Sequence, residues 1–221
     1  MRNFILSISI ALLLTGCLTT HGLDKMVEHK IASQLMKTNL LDTTHLVLKT
    51  DKLLLTEAPS KSQVLNSFFI PALLYWGWEN TLICELNNHY YINLFSQALN
   101  RKKTDNKWNE ILKNKKLEIT LDSVPNQFIY SSKGMVLFLF SDCSYNFSKG
   151  LFPADQLFKI SYRLLDKNEV VKQGSFWTKY TRPEHPTNQT DKHFVEKFLD
   201  IQKDFFTTES ANLIQQIEND L

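Results

Sequence analysis

Between residues 157 and 180 the apolar side chains repeat with a period of two. Phe158, Ile160, Tyr162 and Leu164 alternate on a first arm, Phe176, Thr178 and Tyr180 on a second, and Asp166, Lys167, Asn168 and Glu169 join them. Successive side chains of a strand point to opposite faces, so this pattern predicts a β-hairpin with one apolar face. That face needs a cover, and the chain supplies one immediately downstream. Phe194, Phe198, Ile201, Phe205, Leu213 and Ile217 recur at helical spacing behind Thr190 and Asp191, which suit an N-cap. The expectation is a long C-terminal helix with a break near Thr207 and Thr208.

The rest of the chain repeats the same two signals. Leu23, Val27, Ile31 and Leu35 predict a short amphipathic helix, and residues 44–57 a bent strand or tight hairpin. Ile83, Leu86, Tyr90, Leu94 and Ala98 predict a helix over residues 81–100, followed by a short helix around Trp108. Strands are expected at 117–124, 128–131 and 135–141, with Lys133 and Gly134 as a turn. The order gives an α+β fold, a largely antiparallel sheet covered on one face by helices, including the long C-terminal helix. With 221 residues, 43% of them hydrophobic, one core is the natural outcome, and residues 23–221 are expected to form a single domain.

The N-terminus carries an address. Arg2 precedes an apolar run over residues 4–14, too short for a bilayer core of about 30 Å, which takes roughly 20 apolar residues. Residues 1–16 therefore read as a signal peptide and 17–22 as a short polar tether. The closing tetrapeptide Leu14-Thr15-Gly16-Cys17 resembles the lipobox of bacterial lipoproteins. The resemblance implies that Cys17 is acylated, becomes the mature N-terminus and holds the protein to a membrane. Leu18, standing where Asp would mark inner-membrane retention, implies the outer membrane, with the domain facing the periplasm.

From Thr81 onward the order of elements is similar to that of the auxiliary lipoproteins of lipid-transport ABC systems. It runs from a helix to Leu117-Glu118-Ile119-Thr120-Leu121, then Ser161-Tyr162-Arg163-Leu164-Leu165-Asp166, a turn, a strand ending near Gly174-Ser175-Phe176, and a final helix over 209–221. The similarity covers about half the chain by pattern and implies a non-enzymatic role with a lipid or an envelope-complex protein as partner. It assigns no functional residues, and residues 68–78 depart from it.

Those residues are the chain's oddest stretch. Phe68, Phe69, Leu73, Leu74, Tyr75, Trp76 and Trp78 are interrupted by Pro71 and Gly77, too many residues for a turn and too broken for a regular helix. Exposed, they would form a contact surface for a lipid, the bilayer interface or a protein partner. Buried, they would be core, the commoner fate of an apolar run. Cys84 and Cys143 leave a similar choice, since a disulfide in an oxidising compartment and two separately buried thiols both suit the spacing.

Catalytic signals are sparse. Gly174-Ser175 has no second glycine to form a nucleophile elbow, and the six glycines form no phosphate-binding pattern. The nearest histidine pair, His185 and His193, lies with Glu184 and Asp191 in a polar loop and helix start, where solvation is the ordinary outcome. No catalytic residue, metal site or cofactor is expected. The 25 Lys and Arg nearly balance 23 Asp and Glu, which speaks against nucleic acid. The basic stretch of Arg101, Lys102, Lys103, Lys107, Lys113, Lys115 and Lys116 around Trp108 suits a solvated helix and loop, or a contact with lipid phosphates. The expected function is that of a lipid-anchored, non-enzymatic binding or assembly module, in lipid transport or outer-membrane maintenance. The alternatives are a purely structural envelope lipoprotein and, last, an enzyme with an unrecognised site.

Overall fold

A computed structural model describes residues 18–32, 45–50, 54, 59–72, 74–103, 106–139, 142–180 and 191–221. The expected signal peptide, Cys17, Leu35, Leu73, His185 and Thr190 lie outside the described residues. The elements follow as α1 (Thr20–Ala32), β1 (Leu46–Thr50), β2 (Lys61–Pro71), β3 (Tyr75–Glu85), α2 (Asn88–Lys103) and α3 (Asn106–Ile111). Then come β4 (Lys115–Ser123), β5 (Gln127–Leu139), β6 (Asp142–Pro153), β7 (Leu157–Asp166), β8 (Glu169–Lys179) and α4 (Asp191–Asp220).

The fold is α+β, but its strands form two four-stranded sheets, β1-β4-β7-β8 (sheet A) and β2-β3-β5-β6 (sheet B). All pairings are antiparallel except β1 with β4. β4 pairs with β7, β5 pairs with β6, and three-residue links join β4 to β5 and β6 to β7. One antiparallel ribbon thus runs through both sheets. At its bend the Ala154 amide donates to the Gln127 carbonyl at 3.0 Å, and the Gln127 amide donates to Gln156 Oε1 at 2.9 Å.

Alternation along the ribbon sets the core. In sheet A, Leu117, Ile119 and Leu121 stand opposite Leu164, Tyr162 and Ile160, all buried. In sheet B, Leu82 and Cys84 stand beside Tyr130 and Phe128, with Leu151 next across. Helix α4 closes both inner faces. Its Phe198 ring lies 5.2 Å from Phe128 of sheet B, and its Phe206 ring 4.4 Å from Phe158 of sheet A. Helix α1 packs on β2, β3 and α4 through Leu23, Val27 and Ile31, and α2 packs on α4.

Several boundaries move from their expected places. Residues 81–85 extend β3, and the helix begins at Asn88, because Leu82 and Cys84 also satisfy a period of two. Lys133 and Gly134 continue β5 without a turn, and β6 forms over residues for which no strand is expected. Helix α4 passes through Thr207 and Thr208 unbroken, held by the burial of Phe206 and Ser210 on either side, and the Thr208 hydroxyl donates to the carbonyl of Asp204, one turn back, at 2.9 Å. The expected tether also disappears over its described part. Leu18 is buried, the Thr19 hydroxyl accepts from the Gly22 amide at 3.1 Å as a helix cap, and α1 starts at Thr20. The β7–β8 hairpin is as expected, with positive φ at Lys167 (49°) and Asn168 (73°) making the twisted two-residue loop that suits paired strands.

Two outcomes follow for stability. Phe206 is fully buried between Phe158 and Tyr91, so Phe206→Ala is expected to cost about 3–5 kcal/mol in urea unfolding. Glu118 accepts from Lys49 Nζ at 2.6 Å and pairs with Lys116 at 3.2 Å, tying edge strand β1 to β4. The hydrogen bond from Lys49 holds its carboxyl below the ordinary value of 4.5. A lowered carboxyl stabilises the fold above its unfolded value and loses that contribution as pH falls through the folded one. The stability gap between wild type and Glu118→Gln should therefore be present at pH 7 and close on acidification below 4.5, as read from urea midpoints.

Candidate functional site

Helical cover stops partway along sheet B. The side chains of Asn80 and Ser132 stand on one cross-strand row with Ser67 and Lys149. Here α4 begins, Asp191 Oδ1 accepting from Lys149 Nζ at 2.6 Å and from the Tyr130 hydroxyl at 3.2 Å. Here too the chain enters α1, with Asn80 Nδ2 donating to the Leu18 carbonyl at 2.9 Å. The four strands continue past this row, and among the described residues no helix follows them.

Two further rows on the same face are strongly aromatic. The first joins Phe69, Trp78, Gly134 and Phe147, the second Pro71, Trp76, Val136 and Tyr145. Phe69 is 49% exposed, Phe147 45% and Tyr145 71%. The Tyr145 and Phe147 rings stack at 6.3 Å with 17° between their planes. Gly134 is there because the Trp78 indole lies on the backbone of β5, where any Cβ would overlap the ring. On the opposite face Phe68, Ile70 and Met135 are exposed, and Leu74 is exposed at the β2–β3 turn. A Cβ on Gly77 would come within 2.6 Å of the Tyr75 hydroxyl, so Tyr75 covers that glycine as Trp78 covers the other.

The odd sequence stretch is therefore a β-hairpin. Phe68, Phe69 and Leu74 are exposed, and Tyr75, Trp76 and Trp78 are half-buried. Pro71 ends edge strand β2, where it interrupts no central ladder. Met135, Val136, Tyr145 and Phe147 join this surface unforeseen. For Tyr145 and Phe147 the signal was alternation with Ser144, Asn146 and Ser148, which Lys149 interrupts before Leu151.

The other candidates lie elsewhere. An open groove of about 580 Å³ on the outer face of sheet A is lined by Glu118, Asp122, Ser161 and Arg163 among others. Its acids are already engaged, Glu118 with Lys49 and Lys116, and Asp122 accepting from Ser161 at 3.1 Å. Among the described residues no three His, Cys, Asp or Glu side chains gather as metal ligands. Trp108 of the basic stretch is buried, Lys102 pairs with Glu218 at 3.5 Å and Lys116 with Glu118 at 3.2 Å, whereas Arg101 and Lys113 are exposed. Among the described residues no helix is long and apolar enough to cross a membrane.

The cysteines do not meet. Cys84 stands opposite Phe128 and Cys143 opposite Phe138 on the shared neighbour β5, ten residues apart. At about 3.4 Å per residue that is roughly 34 Å, against the ~6 Å between Cα atoms that a disulfide spans. Cys84 is a free, buried thiol whose pKa burial pushes up to about 12. With Cys17 and Cys143 replaced by Ser, its labelling by a thiol reagent at neutral pH should be slow in buffer and reach completion only above the urea unfolding midpoint.

No protein-family model, curated protein or solved structure matches the chain.

Proposed function

We propose that the protein is a lipid-anchored, non-enzymatic lipoprotein of the outer membrane, its domain on the periplasmic side, working as a binding or assembly module. Its contact surface is the projecting end of sheet B. The observation that carries this reading is the pair of exposed aromatic rows, Phe69 with Trp78 and Phe147, and Trp76 with Tyr145, on a rigid four-stranded platform. Apolar area of this kind lowers free energy by leaving water, so a protein that displays it beyond its own core is built to bring it against something else. The lipobox-like Leu14-Thr15-Gly16-Cys17 supplies the address. Lipid transport and outer-membrane maintenance are the settings that suit an apolar contact surface held at a membrane.

The test is expression of the precursor in a diderm bacterium, with membrane fractionation and intact-mass analysis. Wild type is expected in the washed outer membrane with the mass of an acylated Cys17 N-terminus. Cys17→Ala should lack that mass and wash off. An unacylated, soluble wild type would overturn the reading.

A further inference from the structure

We infer that the aromatic end of sheet B docks on the lipid bilayer itself, at the headgroup level of the leaflet that holds the anchor. The inference rests on the proposed acylation of Cys17 and deepens it, because the structure leaves an anchor there no slack. Leu18 is 7% exposed, its carbonyl is held by Asn80, and α1 is capped at Thr19. One peptide unit, about 3.8 Å from Cα to Cα, separates Cys17 from this fixed point. Many anchored domains hang from a flexible linker that lets them choose an orientation. Here the surface beside Leu18 is held to the bilayer by covalent geometry.

That surface is the aromatic end. Asn80 and the Leu18 carbonyl lie on the same face of sheet B as the two aromatic rows. With two residues per row, the Trp78 row lies about 7 Å beyond Asn80 and the Trp76 row about 14 Å. Helix α1 runs away from the tip. Its N-terminal end is at Asn80, whereas its Glu28 accepts from the Ser60 amide just before β2 begins, at the covered end of the sheet.

The chemistry of the tip fits lipid better than a protein partner. Residues 62–78 carry no charge over seventeen positions, and Asp142 is the only charged residue from 134 to 148. Apolar side chains stand on both faces, Phe69 and Phe147 on one and Phe68, Ile70 and Met135 on the other, and the charges nearest them on the second face, Glu79 and Lys133, lie in the Phe68 row, on the side toward the covered end. A protein partner needs one apolar face, whereas a fluid apolar phase meets both. Trp and Tyr supply the amphipathic rings favoured where hydrocarbon meets headgroups. Depth is limited by the backbone. β2 and β6 are the edges of sheet B, and edge amides and carbonyls need water or a partner, which the hydrocarbon interior does not provide.

The experiment uses the acylated full-length mature protein in vesicles of phosphatidylethanolamine and phosphatidylglycerol, with and without brominated acyl chains that quench nearby indoles. Intact mass confirms acylation, and flotation confirms binding. The chain has four tryptophans, so bromolipid should remove about half of the emission, the share of Trp76 and Trp78. That loss should be absent in the Trp76→Phe, Trp78→Phe variant, with circular dichroism checking its fold. Should that variant misfold, quenching of wild type by lipids brominated near the headgroup, compared with the chain end, reads the same depth without mutation. Acylated, floated protein without quenching would overturn the docking and leave the anchored module standing. Blue-shifted emission without bromolipid quenching, together with a dimer in sedimentation, would assign the tip to a second copy and overturn it as well. Protein that is neither acylated nor floated would sink both readings together.

Discussion

One helix holds the two sheets in register. α4 is 30 residues long, about 45 Å of unbroken rod, and meets the inner faces of both sheets in turn. Asp191 engages Tyr130 and Lys149, and Phe198 packs on Phe128, in sheet B. Gln202 donates to the Pro125 carbonyl at the bend of the ribbon, at 3.1 Å. Phe206 packs on Phe158 and Asp220 accepts from the Tyr162 hydroxyl, in sheet A. The sheets share a ribbon that bends between them, and a bent ribbon alone would leave their relative angle loose. A rod packed across the bend fixes it.

The same arrangement decides what is left over. Sheet B is longer than its cover, because α4 starts at the Lys149 row and α1 starts beside Asn80. Inside that row the alternating side chains complete a core around Phe128 and Tyr130, and outside it the same alternation continues with no helix over it among the described residues. The exposed aromatics are thus the part of one continuous sheet that the helices stop short of. In the proposed reading the bilayer takes the place of the missing cover, and the short path from Cys17 to the buried Leu18 brings it there.

Much of this was legible where one period dominated. The β7–β8 hairpin could be read from Phe158, Ile160, Tyr162 and Leu164 with a polar connection over Asp166 to Glu169, which pairing of Asp166 with Glu169 narrows to a two-residue loop. Helix α4 could be read from Phe194, Phe198 and Leu213, although its continuity through Thr207 and Thr208 rests on the burial of Phe206 and Ser210 against the sheets, which propensity does not foresee. Where both periods fit, the reading failed. Residues 81–85 satisfy helix and strand alike, and pairing with β2 and β5 decided for strand. β6 was missed because its face turns from aromatic to buried aliphatic along its length, so no single pattern marks it. The aromatic residues of 68–78 stood out at once, but whether they were core or surface depended on cover supplied by two helices distant in sequence, α1 and α4.

By itself the sequence determined composition and period: a near-neutral chain rich enough in apolar residues for one core, strands and helices in an α+β order, and the lipobox-like Leu14-Thr15-Gly16-Cys17 from which an envelope address is proposed. Those are local properties, written in neighbouring side chains. Tertiary structure alone decided that the strands divide into two sheets, that Cys84 and Cys143 are far apart, that Leu18 is fixed in the fold, and that Phe69, Tyr145 and Phe147 of the aromatic rows are exposed. The first two depend on strand pairing, the third on the contact between Asn80 and the chain before α1, and the last on where the helices begin relative to strands distant in sequence. Burial measures what other parts of the chain cover, and no residue's own identity can say that.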